Sequence, residues 1–193
     1  MEVYYATTNK GKVESMKRVL SKYGIELKQA EIELPEPRHD DVKPIAMAKA
    51  GYAYEQLKKP VIALDGGLYI HSLKGFPKAF VNLALNTIGV EGILKLVENK
   101  KRECEFHACA TFMDDKLKKP VAFSATVRGT LAPESRGIEK QDKWSDLWYV
   151  FIPEGNDKTL AEMNDEEKAA WDINCRKDSE TEKLAKWLVE NRK

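Results

Sequence analysis

The chain has 193 residues, of which 42% are hydrophobic and 33% charged, and its 32 Lys and Arg residues nearly balance 31 Asp and Glu residues. This length predicts a single domain over residues 1–193 with a hydrophobic core, and the near-zero net charge argues against nucleic acid or an acidic membrane surface as a partner. No stretch approaches the roughly 18 apolar residues of a membrane span, and no signal-peptide pattern opens the chain. Three cysteines make no disulfide framework. A cytoplasmic protein is therefore expected.

The N-terminal half alternates predicted strands with predicted helices. Short apolar runs predict strands at residues 3–6, 25–34, 61–64 and 68–70, because buried strands carry such runs. Apolar residues at helical spacing predict a helix from Lys12 to a C-cap at Gly24 and another over residues 44–58. The sequence Asp65-Gly66-Gly67 is interpreted as a turn that ends the strand at 61–64.

The C-terminal half continues the alternation. The same patterns predict a helix at 89–98, strands at 103–112, 120–131 and 149–152, and final helices at about 159–170 and 179–191. Alternating strands and helices predict an α/β fold with a largely central mixed β-sheet and flanking helices.

The turn at residues 7–12 (TTNKGK) has the composition of an anion site. It joins a predicted strand to a predicted helix and carries two hydroxyls, one amide and two ammonium groups. Amide N–H groups and the positive dipole end of a helix N-terminus bind anions. The turn is not a Walker A loop, whose glycine and hydroxyl are missing at positions 6 and 13. Ordinary N-capping by Thr8 or Asn9 explains the same residues equally well.

Two carboxylates follow predicted strands. Glu36 comes after the strand at 25–34, and Asp65 comes directly after the apolar run 61–64. Carboxylates at strand ends lie where α/β proteins bind ligands, and two of them would hold Mg²⁺ together with substrate phosphates. Taken alone, Asp65 is better explained as the start of a turn with Gly66, but a neighbouring phosphate-binding turn favours the metal site.

Two other residue groups have competing interpretations. Cys104, His107 and Cys109 suggest zinc, but strand alternation turns Cys104 away from the other two and no fourth ligand is evident, so an ordinary strand is favoured. The second group is an aromatic cluster of Trp144, Trp148, Tyr149 and Phe151. It would either stack on a nucleobase or belong to the core or a dimer interface, and core or interface is favoured over stacking.

In chain order, these and further motifs resemble the Ham1/inosine triphosphatase family, also called RdgB-like nucleoside triphosphate pyrophosphatases. The resemblance extends from residue 1 to about residue 170, and the order and spacing of the motifs carry it. The motifs are the turn at 7–12, Pro35-Glu36, Lys49 in Ala48-Lys49-Ala50, Leu64-Asp65-Gly66-Gly67-Leu68, Gly75-Phe76-Pro77, and the block of Pro153-Glu154-Gly155, Thr159-Leu160-Ala161-Glu162-Met163 and Glu167-Lys168.

The resemblance implies a fold with a long central mixed sheet, two lobes around a nucleotide cleft, and a homodimer. It implies Mg²⁺-dependent hydrolysis of deaminated nucleoside triphosphates to monophosphate and pyrophosphate. The implied substrate-binding residues are Thr7, Thr8, Asn9, Lys12, Lys49 and Lys168, of which Thr7, Asn9 and Lys12 hold the phosphates. Glu36 and Asp65 would hold the metal, Asp65 would orient or deprotonate the attacking water, and Lys12 would stabilise the charge on the leaving pyrophosphate.

The departures from the family's pattern affect mainly the part expected to hold the base. Asp172-Ile173-Asn174 stands in place of a Ser-His-Arg triplet expected to read the 6-oxo edge of the purine, and residues 145–149 replace a segment with a base-stacking aromatic. Leu64 replaces an acid, and Lys78 replaces a loop glycine. The chain is therefore expected to hydrolyse nonstandard nucleoside triphosphates with altered base specificity; the alternative is a noncatalytic nucleotide-binding or regulatory homologue.

Overall fold

The computed structural model describes residues 1–35, 37–140, 143 and 145–192, with the backbone alone at residue 176. Within these residues the chain forms seven β-strands and five α-helices. The strands are β1 (Glu2–Ala6), β2 (Glu26–Ala30), β3 (Val61–Ile70), β4 (Pro77–Lys78), β5 (Glu103–Met113), β6 (Val121–Leu131) and β7 (Phe151–Pro153). The helices are α1 (Lys10–Leu20), α2 (Val42–Leu57), α3 (Val81–Leu96), α4 (Asp165–Arg176) and α5 (Glu180–Asn191). No helix among the described residues has the length and apolar character to cross a membrane.

The strands form one mixed sheet, as the alternation of elements predicts. Its order is β2-β1-β3-β5-β6-β7, with β4 paired to β3 beside this path. Strand β1 runs parallel to both β2 and β3, whereas β4 is antiparallel to β3 and β7 is antiparallel to β6. The β1–β3 register pairs Tyr4 with Val61 and Tyr5 with Ile62.

The chain divides into two compact units. The first contains Met1–Asp65, Ala108–Ala125 and the chain from residue 176 onward, and the second contains Gly66–His107 and Thr126–Cys175. That residues 1–193 form a single domain stays a prediction.

The first unit contains two hydrophobic clusters. The larger joins apolar residues of β1, α1, β5 and α5, among them Tyr5, Val13, Phe112 and Leu188. The smaller contains Ala6, Ala53 and Val61. The buried face of α2 consists largely of the small residues Ala46, Ala50 and Ala53, which allow the helix backbone to lie close to its neighbours.

The second unit has its own core, to which β3, α3, β7 and the segment before α4 contribute. Phe151 is fully buried there and meets Phe106 edge to face, with ring centroids 4.5 Å apart. For Phe151, the sequence-based alternative of a place in the core is thereby confirmed.

The predicted break at Asp65-Gly66-Gly67 is wrong, because β3 continues without interruption from Val61 to Ile70. A glycine is required at position 67 for packing: a Cβ there would lie 2.6 Å from the carbonyl oxygen of Lys78 in β4. Asp65 therefore lies inside a strand, where backbone pairing fixes its position more firmly than a turn would.

Other predicted boundaries also shift. Helix α3 begins at Val81 rather than residue 89, and Gly89, with φ 64°, kinks it. Helix α4 begins at Asp165 rather than 159, because residues 159–164 form capped turns in which Thr159 and Glu162 exchange hydrogen bonds between side chain and backbone. Strand β2 ends at Ala30 rather than 34, and β7 covers Phe151–Pro153 rather than 149–152.

We expect Gly67→Ala to lower the free energy of unfolding by about 1–3 kcal/mol, the usual cost of forcing an atom into a packed site. The new methyl group would press on backbone, which yields less readily than a flexible side chain. Urea unfolding measures the effect. The matched control is Gly51→Ala in α2, where a Cβ meets nothing within 4 Å, and this variant should gain about 0.5–1 kcal/mol. Equal stability of the two variants would contradict the packing argument.

Candidate active site

The β1–α1 turn (residues 7–12) is held by its own polar side chains. The Asn9 side chain caps α1, accepting a hydrogen bond from the Lys12 amide at 3.0 Å, and the Thr7 hydroxyl accepts one from the Asn9 amide at 3.1 Å. The Gln29 side chain donates to the Thr7 carbonyl at 2.9 Å, which anchors the turn to β2. N-capping by Asn9 is thus confirmed, and Thr8 is exposed on the turn.

The same geometry suits an anion. The first amides of α1, at Lys10 and Gly11, precede the point at which helical i→i−4 hydrogen bonding begins, and they lie at the positive end of the helix dipole. The first turn carries no acidic residue that would repel an anion. Capping and anion binding are therefore compatible. The cap uses only the backbone amide of Lys12, whereas the side chain of Lys12 bears a separate ammonium group.

A buried ion pair lies in the same unit. The Nζ of Lys49 in α2 is 2.8 Å from Oδ1 of Asp65 in β3, and both side chains are only 10% exposed. The Thr111 hydroxyl of β5 lies 2.9 Å from the Ala46 carbonyl oxygen and 3.1 Å from the Ala63 carbonyl oxygen. These contacts join α2 to β3 just before Lys49 and Asp65, so the backbone around the pair is held from both sides.

The strand register relates this pair to the turn. Tyr5 of β1 pairs with Ile62 of β3 in a parallel ladder, and continuing this register by three residues brings Thr8 level with Asp65. Because the two strands run in the same direction, the turn and Asp65 lie at the same end of the ladder, where α/β folds place their ligands. The turn and Asp65 thus both follow the paired segments of β1 and β3 in the same direction, and their proximity stays a prediction.

The neighbouring Leu64 occupies the position where the family's pattern has an acid. Its side chain is partly buried and packs against the larger hydrophobic cluster of the first unit. Successive strand residues point to opposite faces, so this side chain and that of Asp65 diverge.

Asp65 is suited to supply an oxygen ligand to a magnesium ion. Glu36, the second predicted ligand, lies outside the described residues, and the described part of the chain contains no group of three His, Cys, Asp or Glu side chains able to hold a metal. Magnesium is commonly held by one or two carboxylates, with phosphates and water completing its shell. The buried Asp65 carboxylate is an oxygen donor of the right class and would supply one ligand to an ion whose other ligands are phosphates and water.

The zinc interpretation of residues 104–109 finds no support in these residues. Cys104 and Cys109 are both buried, which raises the pKa of the Cys104 thiol to about 12 and also raises that of Cys109. Within the described residues they belong to no group of three side chains able to hold a metal. His107 instead bonds Glu105, with Nε2 2.9 Å from the carboxylate, and stacks on Tyr69.

Lys168 lies in the second unit, in a group of four residues that we call the Lys168 cluster: Trp148, Lys168, Trp171 and Asp172. The Lys168 Nζ is 2.7 Å from Oδ1 of Asp172 and lies 4.9 Å and 4.8 Å from the ring centroids of Trp148 and Trp171. The side chains of Lys168 and Asp172 are 14% and 13% exposed. For the aromatic cluster, the sequence favoured core or a dimer interface over base stacking, and Trp148 is indeed buried in the core of the second unit, where it is a cation–π partner of Lys168. Trp144 lies outside the described residues.

Sequence reasoning selected Lys49, Asp65 and Lys168 but missed how they are paired. The i,i+4 spacing of Lys168 and Asp172 on one helix was a usable signal for their contact. The Lys49–Asp65 pair had no such signal, because its members belong to a helix and a strand whose packing is tertiary.

Comparison with known proteins adds independent findings. The model of the Ham1 family matches residues 3–185. A dITP/XTP pyrophosphatase of Methanopyrus kandleri is 38% identical over 99% of this chain and 98% of its own length, and one of Thermococcus kodakarensis is 34% identical over the full length of both.

Solved structures share the fold. A Ham1 protein of Staphylococcus aureus superposes with a TM-score of 0.79 at 22% identity over all of both chains. One of Coxiella burnetii gives a TM-score of 0.80 at 23% identity, covering 98% of this chain and 99% of its own.

Proposed function

Since the chain belongs to the Ham1 family, as its sequence motifs indicated, we propose that it is a nucleoside triphosphate pyrophosphatase acting on nonstandard nucleotides, those with deaminated or modified bases. The products are a nucleoside monophosphate and pyrophosphate. The relatives named dITP/XTP pyrophosphatase, matched over nearly their full length, support this assignment. The observation that carries it is the buried Lys49–Asp65 pair at the same end of the β1–β3 ladder as the β1–α1 turn.

The β1–α1 turn supplies the phosphate-binding groups in this proposal. Thr7, Thr8 and Asn9 fix or line the turn, the first amides of α1 donate to phosphate oxygens, and the Lys12 ammonium offsets the charge that grows on the leaving pyrophosphate. The backbone amides of the turn are held before substrate arrives, because the Asn9 and Thr7 side chains already bond the backbone of the turn. Such preorganisation favours the transition state over the free substrate.

Asp65 is the proposed catalytic residue. Its carboxylate accepts the proton of the attacking water or orients that water. Lys49 donates a hydrogen bond to one carboxylate oxygen, which fixes the direction of the carboxylate and balances its buried charge. Lys49 thereby positions Asp65, in addition to lying along the nucleotide as the resemblance implies.

We propose Mg²⁺ as the cofactor, held by Asp65 and Glu36 together with the phosphates. The ion supplies positive charge that weakens the phosphate bond to be broken and makes a bound water more acidic. The oxygen chemistry of Asp65 supports this choice, and removal of the ion with a chelator tests it.

The remaining parts of the proposal concern the base and the assembly. Lys168 contacts the nucleotide, with base specificity altered by the residues at 172–174. A homodimer is proposed from the family resemblance, and the exposed apolar side chains of Phe80, Leu83 and Ile88 offer surface for an interface. A cytoplasmic location agrees with cysteines that are present as thiols and not as disulfides.

A pyrophosphate-release screen tests the proposal. Purified protein is incubated with Mg²⁺ or with EDTA and a panel containing ITP, dITP, XTP, the standard triphosphates and several modified ones. We expect Mg²⁺-dependent pyrophosphate release from at least one nonstandard nucleotide, faster than from ATP or GTP. Release from no nucleotide would overturn the enzymatic proposal. A nucleotide-induced thermal shift without turnover would establish the noncatalytic alternative.

A further inference from the structure

The hydroxyl of Tyr5, in the first unit, is a buried polar group without a hydrogen-bond partner among the described residues. The residue is only 1% exposed and belongs to the larger hydrophobic cluster of that unit. Burial raises the pKa of this hydroxyl, and the nearby carboxylates of Glu180 and Asp65 raise it further. Because an unpaired buried hydroxyl costs free energy, its position near two carboxylates indicates a place for a polar ligand.

Glu180 is the first residue of α5 and continues the buried face of that helix. Leu184 and Leu188 follow it at intervals of four residues and pack in the same hydrophobic cluster as Tyr5. Since side chains four residues apart lie on one face of a helix, Glu180 extends this face by one turn. The residue is half-buried, and its Oε1 accepts a hydrogen bond from the Thr181 hydroxyl at 3.0 Å. An acid in a first turn also suits the helix dipole, but that role does not require the buried face.

The end of the β1–β3 pairing lies just before Asp65. This pairing ends with Tyr5 and Ile62, three residues before Asp65, so at that level β1 no longer separates the two faces of the sheet on this side. Leu64 packs in the cluster that contains Tyr5, so the face of β3 toward α5 carries an apolar side chain here. A carboxylate from α5 would therefore add an acid on the face where β3 itself supplies none.

We propose that Glu180 supplies a further carboxylate to the divalent-cation site of Asp65, where the Tyr5 hydroxyl bonds a water molecule held by the ion. The inference rests on the proposed function, in which Mg²⁺ is the cofactor. Carboxylate oxygens are ligands that Mg²⁺ prefers, and the ion usually keeps several waters. Glu180 is thus a metal ligand, and Tyr5 is a positioning residue whose hydroxyl gains a hydrogen bond when the ion is present.

The experiment measures Mn²⁺ binding by the full chain without nucleotide, from the EPR signal of the free ion, since Mn²⁺ takes the same oxygen ligands as Mg²⁺. We expect Glu180→Gln and Asp65→Asn each to weaken Mn²⁺ binding about tenfold, because each removes one anionic ligand. Glu190→Gln removes an exposed carboxylate from the same helix and should bind Mn²⁺ as wild type does. Equal affinity of Glu180→Gln and Glu190→Gln, or no Mn²⁺ binding by wild type, would overturn the inference.

A third variant separates positioning from packing. Tyr5→Phe keeps the ring in the core and removes only the hydroxyl, so a purely structural role would leave Mn²⁺ affinity unchanged. We expect weaker Mn²⁺ binding, by a smaller factor than in Glu180→Gln, and unchanged affinity would overturn the role of Tyr5. A loss in Glu180→Gln without one in Asp65→Asn would overturn the shared site. Glu180-dependent Mn²⁺ binding by a protein that releases pyrophosphate from no nucleotide would overturn the proposed function and leave the cation site intact.

Discussion

Asp65→Asn is expected to lower kcat for the best substrate by about 10²- to 10⁴-fold, the usual contribution of a positioned general base. Asparagine matches aspartate in size but neither accepts a proton as a carboxylate does nor offers an anionic oxygen to a metal. Nucleotide binding should change less, because in the proposed function the β1–α1 turn, and not Asp65, contacts most of the phosphate oxygens. Single-turnover kinetics give the rate of the chemical step, and nucleotide-induced thermal shifts report binding.

The matched control for this variant is Asp115→Asn, which removes an exposed carboxylate from the β5–β6 connection of the same unit. Its kcat should equal that of wild type. An Asp65→Asn enzyme that keeps more than about a tenth of wild-type kcat would remove Asp65 from the chemistry, since a general base contributes at least about 10²-fold.

Lys49→Met is expected to destabilise the protein by about 3–5 kcal/mol, the cost typical of removing one partner from a buried ion pair. The variant takes away the cation 2.8 Å from the Asp65 carboxylate, and that carboxylate is largely shielded from water. Adding Asp65→Leu should recover much of the lost stability, because replacing both members of a buried pair by apolar groups is often neutral or stabilising. Urea unfolding of the wild type, both single variants and the double variant gives the coupling energy.

An exposed pair provides the control for Lys49→Met. Lys17 and Glu14 of α1 lie 3.3 Å apart with side chains 47% and 66% exposed, so Lys17→Met should cost about 0.5 kcal/mol or less. If Lys49→Met costs no more than Lys17→Met, or if the two single effects at 49 and 65 simply add, the pair does not hold this part of the protein together.

The sequence predicted the architecture well wherever hydrophobic periodicity was unambiguous. The apolar run at 61–64 marked β3, and the helical spacing from Lys12 onward marked α1. The predicted C-cap at Gly24 is wrong for α1, which ends at Leu20; Gly24 instead closes the following 3-10 turn in the left-handed conformation. Asp65-Gly66-Gly67 misled the prediction because Asp and Gly favour turns locally. In the fold, the glycine at position 67 instead admits the backbone of β4 against β3, a tertiary reason that local propensity does not contain.

The site was predicted as a set of residues but not as an arrangement. The composition of the β1–α1 turn indicated phosphate binding, and the structure adds that Asn9 caps the helix while other amides remain at its positive end. The pairing of Lys49 with Asp65 depends on the close packing of α2, which its buried alanines permit. A residue-type pattern shows such small residues but not which strand the helix will meet.

The effect of the substitution at Asp172 can be described only from its contacts in the structure. From the sequence, Asp172 was a substitution in a triplet expected to read a purine. Its hydrogen bond to Lys168 shows that it neutralises the lysine proposed to contact the nucleotide. The β1–α1 turn and the Lys168 cluster belong to two separately packed units, so a substitution in one leaves the packing of the other unchanged.

The most direct measurement is phosphorus NMR of the products formed from dITP by the purified protein with Mg²⁺. If the bond between the α- and β-phosphates is broken, the products are equal amounts of dIMP and pyrophosphate, and no signal from dIDP appears. The account predicts this result. Formation of dIDP with inorganic phosphate, or unchanged dITP under conditions where the nucleotide binds, would contradict the account.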